Sequence, residues 1–556
     1  MKTKKILAIL LCFVMLVGTL TACGTTAEET KTPAQENVEV SGQEKTEGSG
    51  RAGSITVGIN CNIPGLSSFD GTSTGQLYVQ QLYDDTLFTQ LTPGGELIPC
   101  IGKSYTVEED GAKVTVEIFD YVKDSAGNHI TANDVVFSYN TYIATGNASN
   151  IDPYVDSIEA VNDTTVVFHL KDYKQVGALE NVLARCFIVS EAAYDEATWS
   201  TAPIGCGPYV VEEFVSGASL TLKANEDYWQ TDEQYLPLIK RRNVDKVIYK
   251  VILEDAQLAL AMETGTVDAV NFVSADNLPF FTDNDGNALP GYTIRKDASA
   301  LVVNMSFSMD KSSNVANDPA LRKAILYCID SASLVQGAMG NTGEVVYCVG
   351  TAAYSDYNPD WEADYFNYNV EKAKELLAES DYVKNGSPSI RIAFETNDSK
   401  QKAAQMMQAY MNAVGINAEI LSYDAALFTN YKLDFSEWDI KIDNNGSPAY
   451  KLGAFWGRFL GNTFCSYNGQ SVNFFGLNDP ELQKMLDTAF NVDTMSQDAT
   501  NAVNDYINEN AFCYGLWTPL TYQVAQDGIL EMVNNNCEYC MPNAFTYAAD
   551  YQGVAG

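Results

Sequence analysis

The sequence predicts an α/β fold with mixed sheets, on three observations. Alternating apolar runs of strand type are interspersed with amphipathic helices, without the strict strand–helix–strand order of a parallel sheet. The chain has 556 residues, 46% of them apolar, with 24 Phe, 32 Tyr and 6 Trp available for burial. That excludes a disordered chain and fits about three structural units of roughly 100–200 residues each. Finally, two helices announce themselves by an Asp cap followed by Pro, at Asp318 and at Asp479.

In chain order, Ser54 to Asn60 alternates as a strand and runs into the turn-rich residues 61–70. Thr106-Val and Lys113 to Ile118 flank Glu109-Asp-Gly111, which predicts a hairpin. Thr131-Ala-Asn-Asp134 sets a capping-box pair at the start of a helix. Thr165 to Leu170 is a strand with His169 on its surface, and Val244 to Leu253 is another. A helix follows from Asp255, stopped by Gly265. The Asp318 helix places residues 321, 325, 328 and 329 on one apolar face. Val370 to Leu377 and Lys402 to Val414 are amphipathic helices, the second ended by Gly415 before a strand from Ile416 to Leu421. Glu437 to Ile442 is the next strand, and Asp479 opens the next helix.

The N-terminus bears on location. Met1 to Lys5 carries three Lys, and Ile6 to Leu20 has no charge. This is the positive and apolar pattern of a signal peptide, too short for a comfortable membrane span. Leu20-Thr-Ala-Cys23 followed by Gly24 resembles the lipobox of bacterial lipoproteins, which implies cleavage after residue 22 and lipidation of Cys23. Residues 24–50 contain six Glu, two Lys and no aromatic residue, Leu, Ile or Met, so they predict a disordered tether. At about 5–6 Å × √n it would average roughly 30 Å end to end.

Composition removes several function classes. The formal charge is −38, from 34 Lys and Arg against 72 Asp and Glu, and cleavage after residue 22 would leave −41. An acidic chain without basic blocks repels phosphate backbones, so no nucleic-acid partner is expected. Only His129 and His169 are available for imidazole chemistry or ligation, and no metal or cofactor is expected. Ten Cys beyond Cys12 and Cys23 are scattered, several within apolar runs, and read as small core residues. Cys537-Glu-Tyr-Cys540 lacks the second pair that a structural metal site needs. Gly71-Thr-Ser-Thr-Gly75 matches a nucleophile elbow in letters, but a turn-rich stretch precedes it instead of a strand. Ser308-Met-Asp-Lys311 lacks its companion motifs, and Asp283 to Asn287 places its Gly too early for a calcium loop. Binding, not catalysis, is the expectation.

Five segments in order carry a resemblance. Asp124 to Ser138 is similar to a Phe-His-Asp-Gly-x-Pro-(hydrophobic)-Thr-Ala-x-Asp-Val signature. Pro203-Ile-Gly-Cys-Gly-Pro-Tyr209 has Cys206 where the pattern has Thr, and Ala224-Asn-Glu-Asp-Tyr-Trp229 is close to Arg-Asn-Pro-Asp-Tyr-Trp. The Asp318–Asp330 helix and Val414-Gly-Ile416 complete the set. Together they resemble the family 5 extracellular solute-binding proteins, the peptide and nickel receptors of ABC importers. The resemblance implies a two-lobed periplasmic-binding-protein-like fold with a ligand cleft between the lobes. Lobe I would comprise 51–298 with a subdomain near 81–200, lobe II 299–513, and 514–556 would return to lobe I. It further implies a lipid-anchored monomer on the extracytoplasmic face of the cell membrane, handing an oligopeptide or similar small polar solute to an ABC permease. A sensing receptor of the same fold, or an exported serine hydrolase using Ser73, are the alternatives.

Site residues follow from the same comparison. In peptide-binding relatives the stretch after the equivalent of Glu437–Ile442 carries an Asp that pairs with a peptide amine. Here Asp443, Asn444 and Asn445 stand there, without the Gly-Trp and acidic-Pro pair of those relatives. Asp443 is therefore either the amine partner or a solvated loop residue. Arg185, inside the apolar run Leu183 to Ile188, reads as a carboxylate clamp or an internal ion pair. Trp456 and Trp517 read as aromatic cleft walls or core packing.

Overall fold

The computed structural model describes residues 51–554, apart from 71, 72, 93, 172, 285, 447–450 and 536–538. The signal peptide, Cys23, the tether and Cys537 lie outside the described residues. One twelve-stranded mixed sheet runs through the body. Its order is Tyr209–Val215, Ser219–Ala224, Val244–Val251, Ala52–Ile59, Ala269–Val270, Cys513–Gln526, Val302–Phe307, Ile440–Asn445, Ile390–Glu395 and Ala418–Tyr423. Tyr292–Ala298 and Gly343–Val345 also pair with Cys513–Gln526.

The 14-residue strand Cys513–Gln526 divides this sheet into two halves. Its first residues pair with Val303–Ser306, and Leu520 to Gln526 pair with Tyr292–Ala298. The chain thus passes between halves twice side by side, at 298–302 and at 517–520. Each half has its own core. Ile55, Val57, Leu222 and Tyr249 belong to one, and Met305, Ile325, Phe394 and Ile442 to the other. A separate four-stranded sheet, Gly102–Glu108, Lys113–Ile118, Thr165–Leu170 and Val155–Asn162, packs with the helix Ala132–Ala144 over a third core.

Most predicted elements form for the predicted reasons. Thr131 and Asp134 make the capping box, and the Asp318 carboxylate accepts from the Leu321 N–H at the helix Pro319–Cys328. Gly415 ends the helix Asp398–Val414 at φ +98°. One difference concerns the site. The strand expected at 437–442 forms at Ile440–Asn445, in register with Val302–Phe307. Asp443 is therefore a buried strand residue and not a solvated loop carboxylate. Trp438 and Asp439 precede the strand, where Asp439 binds Arg391 at 3.0 Å.

Two of the five segments, Pro203–Tyr209 and Ala224–Trp229, meet at one buried cluster, where Trp229 Nε1 donates to the Cys206 carbonyl at 2.9 Å. Asp85 pairs with the Lys240 ammonium at 2.6 Å, and both side chains are at most 2% exposed. The Tyr228 hydroxyl and Trp229 Nε1 donate to the same carboxylate at 3.0 and 3.2 Å. At Gly205 and Gly207 close approach to another backbone segment leaves no room for a side chain. A Cβ at Gly205 would lie 1.9 Å from the Tyr83 carbonyl oxygen, and one at Gly207 2.4 Å from the Tyr83 carbonyl carbon.

Candidate functional site

Two features place a site: the seam where the two halves meet, and the strand ends facing it. At the seam, a short antiparallel contact joins residues 174–176 to residues 490–492. The Val176 N–H donates to the Phe490 carbonyl at 2.9 Å, and Val492 N–H to the Lys174 carbonyl at 2.8 Å. Lys174 Nζ lies 2.6 Å from Asp493, and Val176 is buried in the core of the other half. Two cavities lie along the seam, the larger one bordered by this contact. One of about 860 Å³ has Tyr154, Lys174 and Gln175 on one side and Arg458, Gln483 and Asn491 on the other. The second, about 500 Å³, lies between Gly94–Leu97, Leu179 and Glu180 on one side and Ser355 and Lys451 on the other.

In the second half, Ile390–Glu395, Ala418–Tyr423 and Ile440–Asn445 are parallel, so their carboxyl ends share one edge. In open α/β sheets that edge is where ligands bind. Asn445, the last residue of its strand, pairs with Val302 beside the first crossing. Its amide nitrogen donates to the Asn304 Oδ1, and Asn304 Nδ2 passes the contact to Ser306 Oγ at 2.9 Å. Asn444 points to the opposite face and is exposed.

Asp443 does not meet Arg185. It faces the chain's own lysines, with Lys441 Nζ at 3.9 Å and Lys432 Nζ at 4.0 Å. Lys441 is 1% exposed, donates to the Phe474 carbonyl at 3.0 Å, and stands over the Trp438 and Phe474 rings. Burial pulls its pKa down to about 8, against the opposing field of Asp443. Lys400, in the first turn of Asp398–Val414, is also buried, and its pKa is lowered by burial despite Asp443. None of these lysines was expected from the sequence. The legible signal was Lys441-Ile-Asp443 after Ile440, which puts two charges on one face of a strand whose other face is Ile440 and Ile442.

Arg185 caps the C-terminal end of the helix Ala178–Ala184 and is half-buried, where the helix dipole favours a cation. That helix supplies Leu179 and Glu180 to the smaller cavity. Trp456 and Trp517 are 0% and 1% exposed, so both rings sit inside cores and neither forms an open wall. Trp456 Nε1 donates to the Val349 carbonyl at 2.5 Å. Ser73 Oγ serves as a helix cap, accepting from the Gln76 N–H at 3.3 Å. Among the described residues, no group of three or more His, Cys, Asp or Glu is placed to hold a metal ion, and no helix is long and apolar enough to cross a membrane.

Comparison with known proteins gives one consistent picture. Residues 96–463 match the family described as bacterial extracellular solute-binding proteins, family 5 Middle. The oligopeptide-binding protein AppA of Bacillus subtilis (strain 168) is 25% identical over 370 residues, covering 62% of either chain, so this chain matches less than two thirds of it. The glutathione-binding protein GsiB of Escherichia coli (strain K12) is 25% identical over 385 residues, 67% of this chain and 70% of that one. Among solved structures, the ABC transporter substrate-binding protein CtaP of Listeria monocytogenes superposes with a TM-score of 0.73 at 18% identity, covering 90% of this chain and 100% of that one.

Proposed function

Because the chain belongs to the bacterial extracellular solute-binding proteins of family 5, we propose that it is a lipid-anchored substrate-binding protein of an ABC importer. It captures an oligopeptide or similar small polar solute and delivers it to a membrane permease. The observation that carries this reading is the pair of cavities, about 860 and 500 Å³, along the seam between two halves linked by only two crossings. Such a geometry closes by hinge motion, and cavities of a few hundred Å³ or more are the usual size for small-molecule sites. Asp443, Asn444 and Asn445 contribute from the strand ends, Arg185 from the helix beside the smaller cavity, and Trp456 and Trp517 support the site from behind. Cys23 holds the protein to the outer face of the membrane by its lipid.

Native mass spectrometry of the gently purified protein should show a retained small solute. Adding that solute to ligand-free protein should compact it in small-angle scattering, and an unchanged profile at saturation counts against capture by closure. Cys23→Ser should release the protein from membranes or leave its precursor uncut; unaltered membrane association would remove the lipid anchor from the proposal.

A further inference from the structure

The lysines around Asp443 are out of balance with their surroundings. Three ammonium groups, from Lys400, Lys432 and Lys441, face one buried carboxylate in a chain whose formal charge is −38. Glu395, half-buried at the end of the neighbouring strand, adds one more acid within the field of Lys400. Asp443 does not settle the account by contact. Its distances to Lys441 and Lys432, 3.9 and 4.0 Å, are at the outer limit of an ion pair, against 2.6 Å for Lys240 and Asp85.

Lys400 is the least compensated of the three. It is 3% exposed, yet among the described residues its Nζ makes no hydrogen bond or ion pair, and stands only over the Phe428 ring at 6.0 Å. Lys432 approaches the same ring at 5.8 Å, so two cations share one aromatic ring. Lys400 also lies in the first turn of a 17-residue helix, whose positive end disfavours a cation. A largely buried ammonium that makes no ion pair, beside a second ammonium and a helix N-terminus and with Asp443 and Glu395 acting on it only at a distance, is costly unless an anion completes it. The cluster is not sealed from solvent, since the Lys432 side chain is 36% exposed and that of Asp443 12%.

We propose that Lys400 and Lys432 form an anion subsite at the carboxyl ends of the lobe II parallel strands, which takes an oxyanion, a carboxylate of the captured solute, while Asp443 spaces the lysines. This rests on the solute-capture reading above and refines it to solutes that carry an acidic group. A ligand amine at Asp443 would enter the field of three ammonium groups, whereas a carboxylate or phosphate would be attracted by them.

Calorimetry on the full protein, freed of bound solute, separates the possibilities. The probes are inorganic phosphate and the tripeptides Ala-Glu-Ala and Ala-Gln-Ala. At least one anionic probe should bind, Lys400→Met and Lys432→Met should each weaken it about 30-fold or more, and Asp443→Asn should tighten it. Lys400→Arg should retain binding, which guards against loss of fold in the methionine variant. A preference for Ala-Glu-Ala over Ala-Gln-Ala that vanishes in Lys400→Met assigns the oxyanion to the solute. Phosphate binding that depends on Lys400, with neither peptide bound, keeps the subsite and overturns peptide capture. Absence of binding by every anionic probe, or binding indifferent to both methionine variants, overturns the subsite.

Discussion

The molecule contains two buried groups of opposite charges, and they are built in contrasting ways. In the first half, Asp85 and Lys240 meet at 2.6 Å, and further donors and acceptors close in on both. Tyr228 and Trp229 donate to the carboxylate, and the Lys240 ammonium also donates to the carbonyls of Gln81 and Asp84 at 2.6 and 2.8 Å. In the second half, three lysines lie around Asp443 at a distance, and among the described residues one of them, Lys400, makes no hydrogen bond or ion pair. Buried charge is tolerated when it is paired and hydrogen-bonded. The first cluster meets that condition within the chain and is scaffold. The second leaves it unmet, as a site awaiting a partner does.

The contrast breaks first under deletion of one member of each group. Lys240→Met strands the Asp85 carboxylate in the core and should destabilise the protein by about 3–5 kcal/mol in urea unfolding. Replacing both partners by apolar residues should recover much of that loss, because no charge is then left alone. A loss below about 1 kcal/mol for Lys240→Met would mean that water or a shifted proton compensates Asp85, and the two clusters would no longer differ in kind.

The neighbouring Asp84 sharpens the comparison through pH. Burial, countered by a hydrogen bond from Ser68 Oγ, pushes its carboxyl up to about 7 from an ordinary 3.8. Since the folded form then holds a proton that the unfolded chain has lost, stability from this group is fully present below the unfolded pKa. It declines as pH rises towards about 7, by at most about 1.4 kcal/mol per unit. The difference between wild type and Asp84→Asn in urea unfolding should therefore grow between about pH 4 and 7 and level off above, with the variant the more stable at pH 8. A constant difference across that range would show that Asp84 titrates normally.

Lys400→Met should act in the opposite direction from Lys240→Met. Removing an uncompensated buried cation should leave the ligand-free protein as stable as before or raise its stability, on the order of 1–3 kcal/mol. Destabilisation comparable to Lys240→Met would show that Lys400 is paired after all.

These two clusters were unequally legible in the sequence. The scaffold cluster is written in the local motifs around Cys206 and in Tyr228-Trp229, but its acid, Asp85, lies over a hundred residues earlier in a segment with no motif of its own. The helices were read well because caps are local: Thr131 with Asp134, Asp318 with Pro319, and Gly415 each fix an end. The Ile440–Asn445 strand was placed three residues early, since Glu437-Trp-Asp has the same alternation as the residues that pair with Val302–Phe307. Lys400, Lys432 and Lys441 come from a helix start, a helix end and a strand, and only the parallel sheet brings them to one edge. Trp456 and Trp517 show the converse limit, because sequence position cannot tell an aromatic wall from an aromatic core.

An exposed ion pair supplies the lower end of the scale. Lys174 and Asp493 meet at 2.6 Å across the seam, as closely as Lys240 and Asp85, but their side chains are 31% and 56% exposed. Solvent and salt screen such a pair, so Lys174→Ala should change unfolding free energy by about 1 kcal/mol or less. Its effect belongs to closure instead. On the proposed hinge closure, opening the seam would break the pair together with the two backbone bonds at Val176 and Val492 and would withdraw Val176 from the opposite core. Open and closed forms of hinged proteins commonly differ by only a few kcal/mol, so a contribution too small to register in unfolding can still shift their ratio severalfold. Small-angle scattering of ligand-free Lys174→Ala should show a larger radius of gyration than wild type, and high salt should move wild type towards the variant. If both proteins scatter alike at low and high salt, the pair adds nothing to closure. Equal distances would then mean strong coupling only where water is excluded.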